Sequence, residues 1–263
     1  MNPFIKANQQ AWDDMTRVHI NSPFYDVVGF KAGKSSLTPI ELKGLRPVQD
    51  KDLLHLQCHF GLDTLSWARL GARVTGVDFS PEAISQANRI AGENNIPGRF
   101  IRSDVYKLPE ALDETFDIVF TSYGALCWLP GLDAWAAIVR RYLRPGGIFY
   151  IAEFHPGVYQ FDFNTKQIAY NYFNSGKPYE ENEEGSYADP GADIKTKTYF
   201  WCHSLAEIAS ALLKEGLTML EFREWDYSPY NCFPNMKERA PGEYVFGDFP
   251  ASLPHVFEMK FRG

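Results

Sequence analysis

LLHLQCHFGLDTLSWARLGARVTGVDF, residues Leu53 to Phe79, is the stretch around which the rest of the chain is arranged. An apolar run, Leu53–Leu56, leads into a short turn that ends at Gly61. Leu62, Leu65, Ala68 and Leu70 then recur at helical spacing, and Gly71 closes that helix, since glycine readily takes the left-handed conformation of a C-terminal cap. A second apolar run, Val74–Val77, stops on Asp78. Strand, tight turn, helix, strand and acid make a right-handed β-α-β unit with two parallel strands. Ligands of such sheets sit beyond the carboxyl ends of the strands, where both the turn after Leu56 and Asp78 lie. A carboxylate there can accept two hydrogen bonds from a ribose diol, so the unit predicts a nucleoside-containing ligand.

The turn separates two cofactor classes. A dinucleotide-binding turn has the pattern G-x-G-x-x-G, whose glycines let the backbone approach a pyrophosphate. Gln57-Cys58-His59-Phe60-Gly61-Leu62 holds one glycine, which argues against NAD. Further along, Pro97-Gly98 turns the chain into a third strand, Arg99–Ser103, ending at Asp104-Val105. Phe116–Thr121 forms a fourth, followed by Ser122-Tyr123-Gly124. A helix over Leu132–Tyr142 precedes Arg144-Pro145-Gly146-Gly147 and a fifth strand, Ile148–Glu153. There the proline stops the helix and the glycines permit the reversal.

These segments resemble the class I S-adenosylmethionine-dependent methyltransferases of bacterial small-molecule type. The divergent first glycine motif is QCHFG, in which Gln57 and His59 replace the first two glycines and Gly61 matches the last. The Thr115-Phe-Asp-Ile-Val-Phe stretch resembles the family's fourth motif, and the L-x-P-G-G turn is a further family mark. The resemblance implies an α/β fold: a Rossmann-like, doubly wound, seven-stranded and mostly parallel sheet with an antiparallel last strand. It implies S-adenosylmethionine as cofactor, with Asp78 on the ribose, Phe79 and Val105 on the adenine faces and Asp104 on the adenine amino group. Gln57, His59 and Gly61 then receive the methionine part, where Gln57 either donates its amide to the cofactor carboxylate or crowds the site. Ser122 and Tyr123 lie by the sulfonium. His155 is the candidate base, because an imidazole titrates near neutral pH; Tyr123 is a candidate for orienting the acceptor.

The remaining segments divide the chain into an N-terminal helical cap (1–50), a cofactor-binding core (51–156), an antiparallel β insertion after the fifth strand (157–201) and the C-terminal part of the core sheet (202–263). Asn2–Val18 reads as an amphipathic helix, and Trp12, His19 and Tyr25 are candidates for the substrate mouth. In the insertion, Tyr159, Phe161 and Phe163, then Ile168, Tyr170 and Tyr172, then Ile194 to Phe200, alternate with the period of strands. The acidic run within Pro178–Gly191 is expected to be a solvated loop tip. Asp226–Asp248 reads as a loop.

Composition bounds the function. The 263 residues are 45% hydrophobic and carry a net charge of −7. With no long basic run, nucleic acid is not an expected partner. No apolar stretch has membrane-spanning length and no apolar signal region begins the chain, so a cytoplasmic location is expected. The four cysteines have no paired spacing and no metal-ligand cluster appears. The expected protein is a methyltransferase for a small-molecule acceptor, monomeric or homodimeric. A non-catalytic binding or regulatory protein of the same fold and an NAD-linked oxidoreductase are the alternatives.

Overall fold

Apolar residues on the core strands fall on both faces, and that pattern demands a sheet covered on both sides. The computed structural model describes residues 2–163, 165–247, 249 and 252–263. The chain begins with α1 (Pro3–His19), α2 (Val27–Lys31) and α3 (Pro39–Leu45). Alternating strands and helices follow: β1 (Asp52–Leu56), α4 (Leu62–Arg69), β2 (Arg73–Asp78), α5 (Pro81–Glu93), β3 (Arg99–Arg102), β4 (Phe116–Thr121), α6 (Leu132–Tyr142) and β5 (Leu143–Phe154). The insertion holds β6 (Phe161–Asp162), β7 (Gln167–Ile168), β8 (Tyr179–Glu184) and β9 (Lys195–Phe200). The chain finishes with α7 (Leu205–Lys214), β10 (Thr218–Trp225), β11 (Met236–Ala240), β12 (Glu243–Phe246) and β13 (Val256–Arg262).

Seven strands form one sheet in the order β10-β13-β5-β4-β1-β2-β3. β13 lies antiparallel between β5 and β10, while β1 to β5 pair in parallel. Leu54, Leu56, Val119, Phe149, Ile151 and Met259 face a core with Trp135 of α6 and Leu212 of α7. Their alternating neighbours Leu53, Ile118, Phe120, Tyr150 and Val256 face Ile40 of α3 and Trp67 of α4. The strand order reverses between β1 and β4, so a crevice opens beside the carboxyl end of β1. No helix among the described residues is long and apolar enough to cross a membrane.

Local signals produced the expected helix ends. Ser80 caps α5 through the Ala83 N–H, and Gly71, at φ 92°, lets the chain leave α4. Three expectations need correction. The acidic run is no loop tip: Glu180–Glu184 lie in β8, paired with β9, where Lys197 and Lys195 meet Glu180 and Glu184 at 2.7 and 2.6 Å. Cross-strand cations offset the like charges that an isolated strand would carry. Tyr170 and Tyr172 lie outside strands, and the segment after Trp225 contains the β11–β12 hairpin rather than loop alone. The Pro-Gly-Gly element also sits inside β5, as a register shift opposite Phe116–Ile118, with Gly146 at φ 76°.

The N-terminal helix and the insertion close together over the sheet's carboxyl edge. Asn8 is wholly buried, and its amide both donates to the Tyr199 carbonyl and accepts from the Tyr199 N–H, each at 2.7 Å. One side chain thereby satisfies a backbone pair on the free edge of β9. His19 bonds Ser186 at 2.6 Å, and the Tyr25 and Tyr187 hydroxyls bond one another.

Candidate functional site

The turn after β1 keeps the backbone of a glycine-rich loop while carrying side chains. Gln57, His59 and Gly61 have φ of 58°, 51° and 77°, the left-handed region. A non-glycine residue there costs on the order of 1 kcal/mol, and such strain clusters where backbone placement serves a site. The Cys58 N–H bonds the Val77 carbonyl, tying the turn to β2, and the His59 N–H donates to Asp78 at 2.9 Å. The other Asp78 oxygen accepts from the Ser80 N–H at 2.9 Å. Burial pushes the Asp78 carboxyl up to about 6, against these N–H bonds, which favour its charged form.

A cavity of about 1310 Å³ opens at this edge. Single-ligand pockets span roughly 300–1000 Å³, so two ligands fit side by side. Of the residues singled out from sequence, Gln57, His59, Gly61, Ser122, Tyr123, Trp12 and Tyr25 line it. Trp12 packs edge-on to His59 and to Trp128, with centroids 5.2 and 5.5 Å apart. Tyr123 packs against Phe154 and Tyr230, and its hydroxyl has no hydrogen-bond partner among the described residues.

The other expected residues lie outside the lining. Helix α1 covers the β2–α5 turn: Gln9 donates to the Phe79 carbonyl and Asp13 accepts from the Ser80 hydroxyl, both at 2.5 Å. Asp78 is consequently 8% exposed. Asp104 accepts from the Tyr106 N–H and caps a short 3-10 helix, while Val105 packs into the core. His19 is buried beneath the cavity wall, and burial drives its imidazole down to about 3, so it stays neutral. His155 does not face the cavity. Its Nε2 is 2.9 Å from Glu224 on β10, and its Nδ1 accepts from the Gly157 N–H at 3.0 Å. It bridges the exit from β5 to β10.

Sequence reasoning missed several residues of the site. Glu153, at the end of β5, is 3% exposed and its carboxylate accepts four backbone N–H groups, from Gly124, Ala125, Leu126 and Phe154. It shapes the loop after β4. Burial still pushes its carboxyl up to about 7. Asp63 and His55 complete a buried polar chain. Ser36 donates to Asp63 at 2.6 Å, Ser122 donates to the other Asp63 oxygen at 3.3 Å, and His55 Nε2 lies 3.2 Å from Ser122. Because Ser122 gives its one proton to Asp63, it accepts from His55 Nε2–H, and His55 Nδ1 accepts from Thr64 at 2.8 Å. A neutral imidazole fits this order, and burial lowers His55 to about 3.

The Gln57 amide answers an open question about the turn. Its Nε2 donates to the Ala125 carbonyl at 2.8 Å, which fixes the amide's orientation because a carbonyl can only accept. Gln57 Oε1 is then left buried without a partner among the described residues, as is the indole Nε1 of Trp128. The bond to Ala125 uses one of the two Nε2 hydrogens. An unpartnered acceptor and an unpartnered donor on one cavity wall suit a polar ligand group.

Comparison with known proteins follows the same lines. Residues 54–151 match the family described as a methyltransferase domain. The chain is 31% identical over 110 residues to the ubiquinone biosynthesis O-methyltransferase of Mesorhizobium japonicum, covering 42% of this chain and 43% of that protein. It is 32% identical over 100 residues to the sterol 4-C-methyltransferase strm-1 of Caenorhabditis elegans, covering 37% of this chain and 29% of the relative. The matches thus span less than half the length of either relative. The fold is similar to that of an S-adenosylmethionine-dependent methyltransferase from Mesorhizobium loti, with a TM-score of 0.57, 16% identity and coverage of 89% of this chain and all of that one.

Proposed function

We propose that this chain, whose core belongs to the class I S-adenosylmethionine-dependent methyltransferases, transfers a methyl group to a small-molecule acceptor. The observation that carries the reading is the left-handed turn at positions 57, 59 and 61, facing Asp78 at the sheet edge and opening into a cavity with room for a second ligand. The residues fit the cofactor: Asp78 keeps free lone pairs beside its two N–H bonds, and the turn presents an unpartnered acceptor to the cavity.

When bound, S-adenosylmethionine supplies a methyl group already activated by its sulfonium. The chain's work is then to align and to exclude water, which can lower a barrier by about 7–11 kcal/mol in favourable cases. Asp78 holds the ribose. Asp104 and the adjoining backbone hold the adenine, with Phe79 and Val105 at its faces. Gln9 and Asp13 of α1 are bonded to the β2–α5 turn, so α1 covers Asp78 and would shield a ligand held there from water. Ser122, fixed through Asp63 and His55, and Tyr123, with its free hydroxyl, orient the acceptor. Phe154, Tyr159, Phe161, Tyr230 and Phe233 wall the remaining space, which suits an apolar or aromatic acceptor. With His155 outside the lining and His55 and His59 held neutral by burial, the acceptor is a group that reacts without a base or that releases its proton to water, while Tyr123, kept protonated by burial, orients it.

Thermal unfolding with S-adenosylmethionine, S-adenosylhomocysteine and NAD in parallel tests the reading. A ligand at about 100 times its Kd adds roughly 2.7 kcal/mol, a rise of several degrees at about 2–4 °C per kcal/mol. A shift with the adenosyl ligands alone is expected. A shift with NAD alone overturns the assignment.

A further inference from the structure

The β8–β9 ribbon has two unlike faces, because side chains along a strand alternate. On one face Glu180 and Glu184 meet Lys197 and Lys195 at 2.7 and 2.6 Å. Glu181 and Glu183 lie on the other, across from Thr198 and Thr196, which are 3% and 5% exposed. Both of these glutamates line the cavity, as do Thr198 and Phe200 of β9. Neither has an ion-pair partner among the described residues. Glu181 accepts from the Tyr170 hydroxyl at 2.7 Å, and the buried Thr196 hydroxyl has no hydrogen-bond partner among the described residues. Desolvation and the Glu181 charge push the Glu183 carboxyl above its ordinary range, a penalty that a cation beside the two would remove.

The rest of the cavity agrees in charge and in surface. Its lining holds the carboxyl groups of Asp26, Asp63, Asp162, Glu181, Glu183 and Glu184, against one lysine and no arginine among the described residues. That lysine, Lys34, is bonded to Asp26 at 2.8 Å. An anionic acceptor would enter with no free cation to meet it, whereas the field of the walls draws a cationic one in. No group of three or more His, Cys, Asp or Glu among the described residues could hold a metal ion, which points to an organic cation. Aromatic rings lead from the sheet edge into the insertion. Tyr123 packs on Phe154 with centroids 5.3 Å apart, and Phe154 meets Phe233 at 5.1 Å and Tyr159 at 6.4 Å. Such rings pack an apolar body, and their faces attract a cation. At the sheet end of this path the Tyr123 hydroxyl is buried and unpartnered among the described residues.

We propose that the methyl acceptor is an amine with an apolar or aromatic body, its ammonium held by Glu181 and Glu183 and its methylated atom beside Tyr123. The assignment rests on the methyltransferase reading above and adds the acceptor's charge. The held nitrogen keeps its proton, so its electron pair is not the nucleophile. A second group on the acceptor, a hydroxyl or a neutral amine, attacks the methyl carbon. The new bond to carbon forms, the carbon–sulfur bond breaks with its electron pair left on sulfur, and the acceptor's proton passes to water. The inward acids of β8 thereby have a task that the lysine-paired ones on the opposite face do not share.

Calorimetric titration of the full chain saturated with S-adenosylhomocysteine tests it. The probes are phenols whose side chain ends in an ammonium, a methyl or a carboxylate, each at several chain lengths. In the unmodified chain the best ammonium probe should bind roughly tenfold more tightly than its methyl match, with the carboxylate weakest. Two variants locate the effect. Glu181→Gln combined with Glu183→Gln keeps an acceptor oxygen for Tyr170; it should abolish the ammonium preference and leave S-adenosylhomocysteine affinity unchanged. Glu180→Gln, on the opposite face, breaks an exposed ion pair and should keep the preference. Equal binding of ammonium and methyl probes, tighter binding of carboxylates, no binding of any ammonium probe, or a preference that survives the double variant overturns the proposal. Those outcomes leave the cofactor reading standing. If the unmodified chain does not bind S-adenosylhomocysteine, that reading falls first, and the assignment with it.

Discussion

Asp78 and Glu153 stand at matching places, one at the end of β2 and one near the end of β5, and both are buried carboxylates that gather backbone N–H groups. They differ in how much of their bonding capacity is used. Asp78 accepts from His59 and Ser80 and keeps lone pairs for a ligand. Glu153 accepts four N–H groups and has little left. The same carboxylate group at the same sheet edge has capacity to spare in one loop and organises another. What is left unsatisfied, and not the residue type, separates the two.

Removing Glu153 is the harshest way to break this comparison. Glu153→Ala strands four N–H groups in a buried loop and should cost about 3–5 kcal/mol in urea unfolding. A loss below about 1 kcal/mol would mean that the loop holds itself. Asp78→Asn keeps one acceptor oxygen and should stay folded, losing about 1–2 kcal/mol, while S-adenosylhomocysteine affinity falls ten- to hundredfold, the scale of charge-assisted bonds. Unchanged affinity in a folded variant would remove Asp78 from the ribose.

The comparison sharpens with pH. The Asp78 carboxyl, pushed up to about 6 by burial, is ionised at pH 7 and neutral at pH 5 in the free protein. Binding to the ribose favours the ionised form, so affinity should fall as pH drops through 6, and the Asp78→Asn variant should lose that dependence. A flat profile in the unmodified chain counts against the role. The smallest effect concerns His155. His155→Ala removes a bond to the Gly157 N–H and a contact with Glu224, and should cost about 1 kcal/mol of stability with turnover unchanged at every pH. A selective loss of turnover would instead support it as a base.

How much of this was legible in the chain follows from the range of each signal. Leu53–Phe79 reads as strand, turn, helix and strand because hydrophobic period and capping residues are local, and Asp78 follows from the same unit. The seven-stranded order followed from a family pattern whose marks, the fourth strand and the Pro-Gly-Gly element, are also short. The acidic strand β8 was misread because its charges are offset by lysines on a strand more than ten residues away. The surroundings of His155 were not legible because its partner, Glu224, arrives from a different strand.

The sequence by itself determined the alternating α/β core, the turn at its carboxyl edge and the identity of the acid that ends β2, since these depend on spacing within single β-α units. Only the tertiary structure decided which polar atoms remain free: that Gln57 gives one amide hydrogen to Ala125 and keeps an unpartnered oxygen, that Trp128 keeps its N–H, that Glu153 is spent and that His155 pairs with Glu224. A buried donor or acceptor must find its partner wherever the fold supplies one. That partner lies 68 residues away for Gln57 and 69 for His155, beyond the reach of any local pattern.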